Sequence, residues 1–171
     1  MKKSKVGDLI LKIKKCRKCE LWKLRKNVVV GEGSLNSEIM LIGEAPGSKE
    51  DETGRPFVGR SGRLLNKLLE ENGIKRERVY ITSVLKCKGK PLKKYIKECL
   101  PYLEEQIKII NPKIIVLLGR VARDNVKKEW LLNKKVIKTC HPAAALRFKK
   151  YLEKLKIDLR KLKAYKKWKE K

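Results

Sequence analysis

Apolar residues along this chain fall alternately into short runs and helical stripes. Val6, Leu9, Ile10 and Ile13 recur at helical spacing and predict a short helix over residues 6–14, running into Cys16. Val28-Val29-Val30 is β-branched, stops at Gly31 and predicts a strand. Ile39 to Ile42 reads as a buried strand opening into the loop Gly43-Glu44-Ala45-Pro46-Gly47. A polar, glycine-containing stretch follows to Gly59. Leu64, Leu65, Leu68 and Leu69 then mark a helix over 61–71, closed by Asn72-Gly73. Val79 to Thr82 predicts the next strand. Residues 95–110 predict a helix that begins in earnest at Pro101, because proline lacks the N–H a helix interior needs. Ile114 to Leu118 predicts a buried strand, residues 122–130 a short helix, and Val136-Ile137 a last short strand before His141-Pro142. Leu152, Leu155, Leu159, Leu162 and Trp168 lie on one stripe among lysines and arginines, predicting a basic amphipathic helix over 149–171.

Strands that alternate with helices predict an α/β fold with a mainly parallel sheet between helical layers. In such sheets ligands bind beyond the carboxyl ends of the strands. The 43–47 loop, Ser83 and His141 each follow a predicted strand and are expected to meet there. No repeat or linker marks a second domain, so residues 1–171 are expected to form one domain.

Charge narrows the partner. Lysine and arginine number 46 against 19 acidic residues, a formal net charge of +27. Nucleic acid is the commonest anion to balance such a surface, through neutralised phosphates and released counterions; a solvated, lysine-rich surface is the other reading. No apolar run approaches a membrane span, and no signal core follows Met1, so a soluble cytoplasmic protein is expected, with no membrane partner.

Cys16 and Cys19 form a CxxC, with Cys87 and Cys99 further on. Four thiolates can hold a zinc ion or a [4Fe–4S] cluster, and spacing does not separate the two; buried free thiols are the third reading. Glu44, in a turn after a buried strand, is either a loop carboxylate or a general base in a cleft. His141 is the only histidine; it is either a packed residue or a catalytic one. Phe57, in a polar loop, either fills the core or offers a face to a base.

The ordered set Gly43-Glu44-Ala45-Pro46-Gly47, Glu50-Asp51, Gly54-Arg55-Pro56-Phe57-Val58-Gly59, Ser61-Gly62, Val79-Tyr80-Ile81-Thr82 with Lys86-Cys87, and His141-Pro142-Ala143 resembles the motifs of family 4 uracil-DNA glycosylases. The resemblance covers roughly Cys16 to Arg147. It implies a three-layer αβα fold with a four-stranded, mainly parallel sheet, and a pocket for a uracil flipped out of DNA. It also implies roles. Glu44 would orient water and stabilise the cationic sugar, and His141 would donate to uracil O2. Phe57 would stack on the base, the Glu44 and Ala45 backbone would lie on its edge, and Glu50 would crowd C5 against a thymine methyl. Ser61, Leu146 and Arg147 would touch DNA, Leu146 as the wedge. Cys16, Cys19, Cys87 and Cys99 would hold a [4Fe–4S] cluster, zinc being the alternative. Uracil-containing DNA is the implied partner and a monomer the expected form; the sequence is silent on a sliding clamp.

Three positions depart from the family pattern. Ser83 stands where an asparagine usually reads the uracil O4/N3 edge. The stretch between Cys87 and Cys99 is shorter than usual. Cys140, which precedes His141, is expected to be a packed free thiol. The serine leaves open a glycosylase for another deaminated base, hypoxanthine or xanthine. A non-catalytic lesion binder of the same fold is the remaining alternative.

Overall fold

A computed structural model describes residues 1–166. Its centre is a five-stranded sheet: β1 (Glu32–Gly33), β2 (Ile39–Gly43), β3 (Tyr80–Ser83), β4 (Ile114–Leu118) and β5 (Lys135–Thr139), in spatial order β1-β3-β2-β4-β5. The last four in this order are parallel neighbours, as expected, with Gly43 opposite Ser83 and Leu118 opposite Thr139. The additional strand, β1, is two residues long and pairs antiparallel with β3. The fold is the expected three-layer α/β arrangement.

The sheet's alternation builds two cores. Met40, Ile42, Tyr80, Ile115 and Leu117 face a layer containing α4 (Lys93–Ile110) and α5 (Arg120–Asn125). Leu41, Ile81, Val116 and Leu118 face α3 (Arg60–Glu71), α6 (Pro142–Arg147) and α7 (Lys149–Arg160). Each fully buried leucine or isoleucine contributes about 1.5–3 kcal/mol. α1 (Lys2–Lys14) adds a smaller cluster, with Leu9 and Ile13 packed against Val30 and Tyr102.

Several elements differ from the sequence reading. The valine run 28–30 forms no strand. Val29 N–H donates to the Lys86 carbonyl at 2.7 Å, and the Val30 carbonyl is taken by the side chains of Thr82 and Gln106. α4 starts at Lys93 and passes through Pro101. Ile96 and Cys99 anchor its first half in the core, and Pro101 and Lys97 both lie on the exposed side, where water can take the carbonyl the proline leaves unpaired. The 122–130 helix divides into α5 and a 3-10 turn at Lys128–Leu131. The C-terminal amphipathic stretch is α7, a turn and the four-residue α8 (Lys163–Lys166), with Leu155, Leu159 and Leu162 buried on the sheet; Trp168 lies outside the described residues. Among the described residues no helix is long and apolar enough to cross a membrane.

Candidate active site

Parallel strands end on one edge, so the residues just after β2, β3, β4 and β5 gather there. The ladder between β2 and β3 runs past their ends: Val84 N–H donates to the Gly43 carbonyl and Leu85 N–H to that of Glu44, both at 3.0 Å. That fixes the backbone at Glu44 beside Ser83. Ala45 is partly buried against the α4 core.

Phe57 reaches the same place from the loop between α2 (Ser48–Thr53) and α3. Its ring lies so close to Gly43 that a Cβ there would come within 2.5 Å of Phe57 Cζ and 3.3 Å of Ser83 Oγ. Phe57 and His141 stack with centroids 5.8 Å apart and 29° between planes. Phe57 is only 6 % exposed, so most of the ring serves the core and little is free.

His141 caps α6: its Nδ1 accepts from Ala143 N–H at 3.0 Å. An accepting Nδ1 puts the neutral ring's proton on Nε2. Burial pushes the imidazole pKa down to about 4, with nearby Glu50 opposing the shift. The ring is thus a neutral donor at physiological pH. Gly119, at φ +93, lets the β4 end approach it, since a Cβ there would sit 2.9 Å from His141 Cβ. Burial raises the Glu44 carboxyl pKa above the ordinary range, and the Arg120 guanidinium opposes it.

Glu50 is buried, and its Oε1 accepts from Val58 N–H at 2.9 Å and Gly59 N–H at 2.8 Å. The sequence reading missed this backbone grip, and a carboxylate two turns from a glycine pair gave no signal of it. Arg120 was missed too, although its place directly after Gly119 at a strand end could have flagged it. Ser61 lies in the first turn of α3, half-buried. Leu146 and Arg147, in the last turn of α6, are exposed; beside them Phe148, also missed, is 54 % exposed and meets Tyr151 edge-on.

On the α1 and α4 side of the sheet, Cys16, Cys19, Cys87 and Cys99 line one cavity with Ile13, Trp22, Val28 and Tyr102. Arg25 Nη1 donates to Cys87 Sγ at 3.2 Å, and its Nη2 to the Lys14 carbonyl. Burial pushes the Cys87 thiol pKa up and that of Cys99 to about 11. Among the described residues no three His, Cys, Asp or Glu side chains are grouped tightly enough for one metal ion. Cys140 is free, and its thiol donates to the Tyr151 carbonyl.

Residues 30–166 match the Uracil DNA glycosylase superfamily. The type-4 uracil-DNA glycosylase of Thermotoga maritima is 46 % identical over 154 residues, covering 80 % of each chain. That of Saccharolobus solfataricus is 42 % identical over 182 residues, covering 91 % of this chain and 84 % of its own. The Archaeoglobus fulgidus enzyme is 38 % identical over 181 residues, with 92 % and 91 % covered. With that much of both chains shared, and with the motif residues gathered at one sheet edge, this chain belongs to the type-4 uracil-DNA glycosylase family.

Proposed function

We propose that the protein flips uracil out of DNA and hydrolyses its N-glycosidic bond, leaving free uracil and an abasic site. The observation that carries this reading is the meeting of Phe57 and Ser83 at Gly43, next to Glu44, with His141 stacked on the Phe57 ring. Extruding the nucleotide costs roughly a few kcal/mol, so the pocket has to repay it with stacking and edge contacts. Phe57 supplies the stacking surface, Ser83 Oγ and the backbone at Glu44 and Ala45 the edge. Glu50, beside His141, crowds C5.

As the C1′–N1 bond breaks, its electron pair goes to the base and the sugar gains oxocarbenium character. His141 Nε2–H donates to O2, where negative charge develops. Glu44, ionised, faces the cationic sugar and takes a proton from the water that adds to C1′. Leu146 fills the gap left in the duplex, Arg147 and Ser61 hold phosphates, and the active unit is one chain.

The four cysteines are proposed to hold a [4Fe–4S] cluster. The support for this reading is that all four thiols line one cavity, with zinc, which draws four sulfurs to about 2.3 Å from one ion, as the alternative. Arg25 and the apolar wall suit an anionic, solvent-shielded centre. The cluster's contribution is structural, joining the N-terminal segment to β3 and α4.

Base release from oligonucleotides carrying uracil, hypoxanthine, xanthine or thymine tests the reading. Uracil release by the wild type and its loss in Glu44→Ala with DNA binding retained is the expected result. Faster release of hypoxanthine or xanthine would favour the second reading, which Ser83 motivates. Binding without release of any base would leave only a lesion binder.

A further inference from the structure

The proposed stacking residue has an unusual backbone. Phe57 sits at φ 51, a left-handed conformation that bulky side chains avoid, so its surroundings have to impose it. Two opposite charges do so. Arg76, near the end of the α3-to-β3 connection, donates from Nη1 to the Phe57 carbonyl at 3.3 Å and from Nη2 to the Pro56 carbonyl. Glu50 takes the N–H groups of Val58 and Gly59 from the other side. The turn's carbonyls are therefore held by a cation and its amides by an anion.

Arg76 is itself fixed. Nη1 also donates to Asn66 Oδ1 at 2.7 Å, and Nε lies 3.5 Å from Glu32 Oε1. Glu32 is on β1, the two-residue edge strand, and also pairs with Arg55 through two bonds of 2.7 and 2.8 Å. The guanidinium side chain is 17 % exposed. Gly62 completes the enclosure, since a Cβ there would overlap the Phe57 carbonyl. All of this polar machinery converges on one four-residue turn, 56–59, that carries the buried Phe57 ring.

We infer that Arg76 is a positioning residue for base recognition: with Glu50 it locks the Phe57 turn so that the ring meets the extruded base already oriented. The inference rests on the proposed stacking role of Phe57. It assigns the specificity of the Arg76 site to two adjacent carbonyls, which a planar two-pronged guanidinium can reach together and a lysine ammonium cannot.

The test is a double-mutant cycle. Arg76→Met and Arg76→Lys are each made in the wild type and in Phe57→Ala, and single-turnover uracil release and melting temperature are measured. Arg76→Met is expected to slow release about tenfold or more, as misplaced recognition groups do. Arg76→Lys should recover little of it. In the Phe57→Ala background the same changes should cost almost nothing further. If Arg76→Met does not fold, Asn66→Ala, which loosens the guanidinium, carries the same cycle with a smaller loss. Additive losses, or a lower melting temperature with unchanged release, would overturn the inference while leaving the glycosylase reading intact. A wild type that releases no uracil overturns that reading and this one with it.

Discussion

His141 and Phe57 face each other as stacked rings 5.8 Å apart, and the histidine's Nδ1 is already committed to Ala143 N–H. The first relationship packs the imidazole against an aromatic ring; the second selects its tautomer. Both follow from one position, the residue between the end of β5 and the first turn of α6.

A partly buried, neutral His141 predicts how the protein responds to acid. Its folded pKa, about 4, lies below the ordinary 6.5. Between those values the unfolded chain binds the extra proton, so stability is full above about pH 6.5 and is lost as pH falls toward 4, by on the order of 3 kcal/mol at most. His141→Gln should flatten that part of the stability–pH curve in urea unfolding.

Catalysis should show one acid limb and none from histidine. In the proposed mechanism Glu44 has to be ionised, and its pKa is raised by burial, so uracil release should fall as pH drops through a value above the ordinary carboxylate range. Removing the opposing cation with Arg120→Gln should move that limb to higher pH. A pH–rate profile of both proteins checks the direction. His141→Ala should lower the pH-independent rate by roughly 10²–10³, the usual cost of losing one donor to a developing oxyanion.

Ser83 is buried, and in the proposed pocket its hydroxyl is the short reader of the base edge. Ser83→Asn should sharpen uracil over cytosine, by about tenfold if the longer amide reaches both edge positions. Overpacking next to Phe57 should cost about 1–3 kcal/mol of stability. Release rates from paired uracil and cytosine substrates, with a melting curve, separate the two effects.

Leu146 and Phe148 are the exposed apolar residues beside His141, flanked by Arg147, Lys149 and Lys150. Truncating either to alanine should slow release from duplex DNA by on the order of tenfold and leave single strands little affected, because only a duplex has a gap to fill. Comparing the two substrates in one assay decides it.

Cys99→Ser should abolish brown colour and bound iron together and lower the melting temperature. A colourless wild type containing stoichiometric zinc would replace the cluster with the other metal.

Much of the site was legible because strand periodicity locates strand ends, and parallel topology brings those ends together. Glu44, Ser83 and His141 could be placed that way from Ile39–Ile42, Val79–Thr82 and Val136-Ile137 alone. Arg76 could not. Its partners are backbone carbonyls 19 and 20 residues earlier, and among so many basic residues one arginine carries no mark. Lys86 stood out only as a motif residue, and nothing in the sequence marked its burial: it is 1 % exposed, with Nζ donating to Thr82, Ser83 and Gln106. Val28–Val30 misled because β-branching reports burial and extension, whereas a ladder also needs a free neighbouring edge.

The four thiols all belong to segments on the α1 and α4 side of the sheet, while His141, Leu146 and Arg147 ride on the opposite layer. Damage is therefore compartmented. If the four thiols hold the proposed cluster, removing it should let trypsin clip the first 25 or so residues, with their many lysines, before it touches α6 or α7, giving a shortened remnant whose sheet still stands.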